Sequence, residues 1–375
     1  MNSKSTADVD DASSTSSGAL GSRRTTDVTF HGSDPERVAS GAICIDGSTR
    51  CQARTRVYRD GALVSEGFPV AEISDYLDGD ESVTVWLDLR NPDRQDLTVL
   101  SEEFGLHALA IEDAIAPHER PKLDRYRDYL FLTAYGARFE PDTGELRTSE
   151  IAAFITRRAL ITVRKDDGLD IGAVVNRWDS SSDLSKDGVG YLVHGLLDYI
   201  VDGHFEAVQS MDEQVETLED QLFADIPQDM ALQRGSFQLR KSLVLLRRVV
   251  LPMREMVNAL MRRDLHVVTD DLMPYYQDVY DHVLRAAEWT DSLRDLVNSI
   301  LETNLTIQGN RMNVISKQVT GWAAIIAVPT FITGFYGMNV PYPEFGRAVG
   351  FGIAMTLMVV SMFILYIVFR RRSWL

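Results

Sequence analysis

Two uncharged apolar tracts stand out at the C-terminal end of the chain. Residues 348–369 (AVGFGIAMTLMVVSMFILYIVF) are 22 positions without a charge. As a helix they measure roughly 33 Å at about 1.5 Å per residue, enough to cross a hydrocarbon core. Residues 319–336 (VTGWAAIIAVPTFITGFY) are a second stretch of 18, roughly 27 Å and at the short end of the spanning range. Only the short segment 337–347 separates them. This pattern predicts a pair of membrane spans; the alternative is a buried helical hairpin of a soluble protein.

Upstream the pattern changes twice. Residues 1–40 are rich in Ser, Thr, Asp and Gly with few large apolar side chains, the composition of a chain that buries too little to fold. Runs of β-branched and aromatic residues at 83–89 (VTVWLDL), 129–139 (YLFLTAYGARF) and 151–163 (IAAFITRRALITV) read as strands, with helical spacing over 97–116 between them. From Val189 onward the period becomes helical. Leu192, Leu196, Ile200, Val208, Met211, Val215, Leu218 and Leu222 mark one helix. A second covers about 230–250 and is expected to end or kink near Pro252. A third starts at Met273 and Pro274, where proline suits a first turn and Asp270 and Asp271 complement the dipole. Val279, Val283, Ala286, Leu293, Val297, Ile300 and Ile307 then keep one face apolar. Continued to Tyr336, this helix is roughly 95 Å long, with Gly309 and Pro329 as its weak points. The expected organisation is α+β: a variable tail over 1–60, an α/β domain over 61–168, a helical stalk over 169–318 and a membrane part over 319–375, with spans at 319–336 and 348–369.

Charge sharpens this picture. The 375 residues carry 38 basic and 55 acidic side chains, a formal −17. From Lys317 onward there are five bases and one acid, Glu344, so the first 316 residues hold −21 and the remainder +4. Such acidity argues against a nucleic-acid partner, which requires clustered Lys and Arg to neutralise phosphates. Arg370, Arg371 and Arg372 directly follow the second span. By the positive-inside rule they place the C-terminus, and with two spans the acidic N-terminal part, in the cytoplasm of a plasma-membrane protein. No apolar signal region occurs in the first 40 residues. Cys44 and Cys51 make no disulfide framework. The histidines are scattered, without HExxH spacing, and neither a phosphate-binding glycine loop nor a nucleophile elbow is present. Nothing here reads as an enzyme.

On a helical wheel of about 100° per residue, Ser316, Thr320, Ala323, Ala327 and Gly334 lie within roughly 80° of Asn313, with Thr330 at the margin. Trp322 lies opposite. A stripe of small and hydroxylic residues suits either close helix packing or the wall of a pore. Two spans cannot enclose a pore, so that reading requires an oligomer with the stripe around its axis. Pro329 also leaves the carbonyl near Ile325 without its usual donor, a group that in a membrane must find protein or water.

At the end of the first span stands Gly337-Met338-Asn339. In that position the tripeptide resembles the hallmark of the CorA family of magnesium transporters. The resemblance extends through WLDL at 86–89, EEFGLHALAIEDAIAPHERPKLDRYRDYLFL at 102–132, LMPYYQDVYDH at 272–282 and the basic C-terminal end. It implies a homopentameric funnel that admits Mg²⁺, with Co²⁺ and Ni²⁺ as further cargo. In that family pattern Gly337, Met338 and Asn339 form the selectivity site at the pore mouth, and Asn313, Ser316, Thr320, Ala327 and Thr330 face the axis. Glu112 with Asp198, and Asp113 with Asp278 of a neighbouring subunit, match positions where cytoplasmic Mg²⁺ binds and closes the pore. Ser316 and Ala327 depart from the family, where larger Met side chains can form the dry constriction; Val319 and Met312 are the substitutes. The closest alternative is a zinc or other transition-metal transporter of the same superfamily, proton-coupled. A membrane-anchored scaffold without a pore is a third reading.

Overall fold

The computed structural model describes residues 51–117, 120–180, 185–224, 229–338, 348–372 and 374. Seven strands form one mixed sheet: β1 (Gln52–Arg59), β2 (Ala62–Glu66), β3 (Val83–Arg90), β4 (Lys122–Arg125), β5 (Leu130–Glu140), β6 (Glu145–Ile155) and β7 (Ala159–Arg164). Their order is β2-β1-β3-β7-β6-β5-β4. β3 and β7 run parallel and the other pairs antiparallel.

Both faces of the sheet are covered, and strand alternation explains how. Leu130, Leu132 and Ala134 of β5, with Ile151, Ala153 and Ile155 of β6, enter one core; Phe131, Ala152 and Phe154 point to the other. The second core is roofed by α1 (Ile73–Gly79), α2 (Arg94–Phe104) and α3 (Ala108–Ile115). The first is continuous with α4 (Ile171–Ser180), α5 (Val189–Leu222), α6 (Asp229–Leu260) and α7 (Met273–Tyr336). Gly195 on α5 permits one close approach, since a Cβ there would lie 2.5 Å from Trp178 Nε1. That indole donates to the Leu192 carbonyl at 3.1 Å.

α7 has 64 residues. Tyr276, Val279, Val283, Ala286, Leu293, Val297 and Ile300 are buried along its first half. Residues 312–320 emerge from this packing exposed, and burial resumes at Gly321, Ile325 and Ile332 where α8 (Ala348–Arg371) packs alongside. Neither Gly309 nor Pro329 interrupts the helix.

Four features differ from the sequence pattern. β1 occupies residues expected in the tail. Its alternation is masked by Arg56, which is buried because Glu66 and Asp179 accept its guanidinium at 2.8 and 2.9 Å. The run 151–163 is two strands joined at Thr156, whose hydroxyl accepts from the Ala159 amide at 2.8 Å. The helical stretch 97–116 breaks at Gly105, which takes the left-handed conformation (φ 63°) that ends α2. Pro252 lies inside α6. Interior proline costs about 3 kcal/mol, whereas burying Val250, Met253, Val257 and Leu260 stabilises by about 1.5–3 kcal/mol each. Packing therefore outweighs the break.

Candidate functional site

The two C-terminal helices are long and apolar enough to cross a membrane. The face of α7 buried against α8 carries Gly321, Ile325 and Ile332. At about 100° per residue that face is centred roughly 140° from Ala327. Asn313, Ser316, Thr320, Ala323, Ala327, Thr330 and Gly334 are all exposed and lie on the side of α7 turned away from α8. The stripe is therefore not used in packing within the subunit. Its hydroxyls are oriented by their own helix. Thr320 Oγ1 donates to the Ser316 carbonyl and Thr330 Oγ1 to the Ile326 carbonyl, each at 2.8 Å. With its proton committed inward, each hydroxyl offers lone pairs outward, the polarity that suits water or a cation.

α7 ends at Tyr336 and is capped by Gly337, whose amide donates to the Thr333 carbonyl at 2.8 Å. A Cβ at Gly337 would meet that same oxygen at 3.0 Å, so the absence of a side chain lets the last turn close tightly. Met338 follows, half-exposed. Asn339, the third member of the motif, and Glu344 lie outside the described residues. At the far end of α8, Arg370 and Arg371 occupy the last turn and the Arg372 amide donates to the Val368 carbonyl at 3.1 Å. The Trp374 ring stacks on Phe369 at 5.4 Å. A triple positive charge thus follows the apolar segment without a gap.

The acidic positions singled out in the sequence fall on both sides of the sheet. Glu112 and Asp113 are on α3; Asp198 is on α5 and Asp278 on α7, across the sheet. Within one subunit the sheet thus lies between Glu112 and Asp113 on one side and Asp198 and Asp278 on the other. Glu112 is exposed. Asp113 meets Lys122 Nζ at 2.5 Å, and Asp124 holds the same ammonium at 3.0 Å. Burial pulls the Lys122 pKa down, yet the two carboxylates leave it above its usual value.

Asp198 and Asp278, by contrast, share one neighbourhood. Asp198, Asp202 and His282 bring their ligand atoms within 4.8 Å of one another. His282 Nδ1 is 3.9 Å from Asp278 Oδ2. Arg177 of α4 donates to Asp198 at 2.6 Å and to Asp202 at 2.7 Å. Nearby His194 has its pKa lowered by burial, with the Asp198 charge opposing that shift. Sequence reading missed Arg177 and His282. The available signal was spacing: Asp198 with Asp202, and Asp278 with His282, are i,i+4 pairs on adjoining helices.

Comparison with known proteins gives a consistent result. The family model described as CorA-like Mg²⁺ transporter protein matches residues 81–371. The cobalt/magnesium transport protein CorA of Thermotoga maritima is 29% identical over 299 residues, 79% of this chain and 85% of that protein. The complete structure of the CorA magnesium transporter from Methanocaldococcus jannaschii superposes with a TM-score of 0.70 at 26% identity, covering 86% of this chain and 98% of that one. The zinc transport protein ZntB of Yersinia pseudotuberculosis is 26% identical over 274 residues, 71% of this chain and 80% of that protein.

Proposed function

The chain belongs to the CorA-like Mg²⁺ transporter family, and on that premise we propose that it is a passive, channel-like route for Mg²⁺, with Co²⁺ and Ni²⁺ as further cargo, closed by Mg²⁺ on the cytoplasmic side. The observation that carries this reading is the polar stripe on α7. It is exposed in the subunit and faces away from α8. Copies assembled with α7 inside and α8 outside, as a homopentamer in the bilayer, line an axis with Asn313, Ser316, Thr320, Ala327 and Thr330. The lone pairs of Thr320 and Thr330 then replace or hold part of the ion's water. Mg²⁺ dehydrates reluctantly, so a ring of Gly337 carbonyls, with Met338 and neutral Asn339 side chains beside it, suits the hydrated ion better than a carboxylate ring that grips it.

No nucleotide is needed. An inside-negative potential contributes about 2.3 kcal/mol per charge per 100 mV, so a divalent ion gains roughly 4.6 kcal/mol on entering. The sheet domain, the stalk to about residue 318 and both termini lie in the cytoplasm, with Arg370, Arg371 and Arg372 at the inner mouth. There Mg²⁺ bridges Asp113 to Asp278, and Glu112 to Asp198, of adjacent subunits. Bare, these carboxylates repel; bridged, they hold the stalks together and the pore shut. In an isolated subunit Lys122 pairs with Asp113, so Mg²⁺ competes with that ammonium for the carboxylate.

Growth rescue of a magnesium-auxotrophic host tests the assignment. Asn339→Ala is expected to abolish rescue at unchanged membrane expression; full rescue by that variant removes the pore-mouth role. Flux of Mg²⁺, Co²⁺, Ni²⁺ and Zn²⁺ at varied pH separates this reading from a proton-coupled zinc transporter, which the ZntB relative keeps in view.

A further inference from the structure

We propose that the outer faces of α5 and α6 form a charge-paired seam between neighbouring copies of this chain, with Arg234, Lys241 and Arg248 of one copy against Asp220, Glu213 and Glu206 of the next. The seam rests on the homopentamer reading above and needs no metal.

The two helices of this hairpin carry opposite charge. α5 has eight Asp and Glu and neither Lys nor Arg. Between Met230 and Arg254, α6 has six Lys and Arg and no acid. Glu206, Glu213 and Asp220 are exposed and seven residues apart, and so are Arg234, Lys241 and Arg248. Each set therefore forms one row along one helix face. The helices are neighbours, since a Cβ on Gly235 would lie 2.9 Å from Leu218 Cδ2. Yet none of these six side chains forms an ion pair among the described residues; α5 engages Asp198 and Asp202 with Arg177, and α6 engages Arg247 with Asp291. The helical wheel gives the reason. At about 100° per residue, the acidic row lies about 120–160° around α5 from Leu218, and the basic row about 100–140° around α6 from Gly235. Each row points away from the other helix of its own hairpin.

The rows also stand at matching heights. α5 runs in the direction of α7: Tyr276 Oη donates to the Gly190 carbonyl at 2.8 Å, and further along the Phe205 and Trp289 rings are 5.8 Å apart. α6 runs the other way. Its Arg247 donates to Asp291 at 2.7 Å, whereas Gly235, earlier in the chain, lies by Leu218, beyond Phe205 on α5. Counting about 1.5 Å per residue from these contacts puts Arg248 level with Glu206, Lys241 with Glu213 and Arg234 with Asp220. A copy related by rotation about an axis along α7 keeps every residue at its height. All three pairs then form together, and the ring closes without an axial step. Phe237 stands between Arg234 and Lys241 and is 69% exposed. An aromatic ring left in water within a charged row suits the centre of an interface, and the seam covers it. The ion pairs around it set register and partner choice more than strength.

The test co-expresses two differently tagged full-length chains, one with Lys241→Arg and the other with Glu213→Gln. A Lys241 to Glu213 link can then form only between chains. The assembly, purified through both tags and kept in chelator, is treated with a water-soluble carbodiimide, which joins a paired amine and carboxylate as an amide with release of the urea. Peptide mass spectrometry is expected to find the Lys241–Glu213 amide. Adding Arg234→Glu and Arg248→Glu to both chains is expected to lower its yield at least about fivefold, and adding Glu206→Arg and Asp220→Arg as well to restore it within about twofold; misfolded protein shows no such recovery. The proposal is overturned by co-purifying chains that give no Lys241–Glu213 amide, by a yield indifferent to the arginine reversals, or by no recovery in the fully exchanged variant. Any of these leaves the homopentamer reading standing. Chains that do not co-purify at all overturn the homopentamer reading, and the seam with it.

Discussion

Thr320 donates its hydroxyl proton to the Ser316 carbonyl at 2.8 Å, so these two residues of the exposed stripe are joined along it by a hydrogen bond that fixes which way the oxygen faces. A donor pointing outward repels a cation; an acceptor attracts one. Thr320→Val removes the acceptor at equal shape and is expected to reduce Mg²⁺ uptake by roughly five- to tenfold, the worth of about one hydrogen bond, without changing the size of the assembly. Thr320→Ser is expected to retain uptake. Wild-type flux through the valine variant rejects Thr320 as a pore-facing group.

The sheet rests on a different pair. Asp88 on β3 and Arg164 on β7 meet at 2.7 Å with side chains almost fully buried, and Thr162 donates to the same carboxylate at 2.7 Å. Burial lowers the Arg164 pKa and the Asp88 contacts more than restore it, leaving it above normal. Asp88→Ala leaves the buried guanidinium with only a 4.0 Å contact to the exposed Asp167 and is expected to destabilise the fold by about 3–5 kcal/mol. Chemical denaturation of the purified protein, compared with an exposed-pair variant such as Asp270→Ala, checks this; equal midpoints contradict it.

His204 is expected to make the fold acid-sensitive. It is fully buried on α5, with Nε2 2.7 Å from the Tyr135 carbonyl. Nδ1 has no partner among the described residues. Burial pushes its pKa down to about 4 from 6.5. The folded value lies below the unfolded one, so the unfolded chain takes the proton first. The stabilisation is complete above about pH 6.5 and is lost as pH falls toward 4, by up to about 3 kcal/mol. His204→Leu is expected to flatten this part of the stability profile, measured as thermal midpoints between pH 7.5 and pH 5; an unchanged slope means another group is responsible.

Much of this architecture was legible because its signals are long. α7 keeps one apolar face from Val279 to Ile300 and runs from the onset expected at Met273 to the end expected at Tyr336, uninterrupted at Gly309 and Pro329. Shorter elements were decided by contacts the pattern does not show. β1 depends on partners for Arg56 at Glu66 and at Asp179, the latter 123 residues away. α6 passes Pro252 because the helices beside it hold the chain. The candidate site divides in the same way. A stripe along one helix is visible on a wheel. The Arg177, Asp198, Asp202 and His282 grouping is assembled from three helices, and only the tertiary fold brings them together.

Uptake of Mg²⁺ into proteoliposomes, driven by a potential negative on the side of the large domain and measured against the Mg²⁺ concentration on that side, tests the central claim most directly. The account predicts voltage-driven Mg²⁺ influx without nucleotide, suppressed as Mg²⁺ rises beside the large domain and relieved of that suppression by Asp113→Asn. Assembled protein that passes no Mg²⁺ under these conditions, or passes Zn²⁺ with protons in its place, contradicts it.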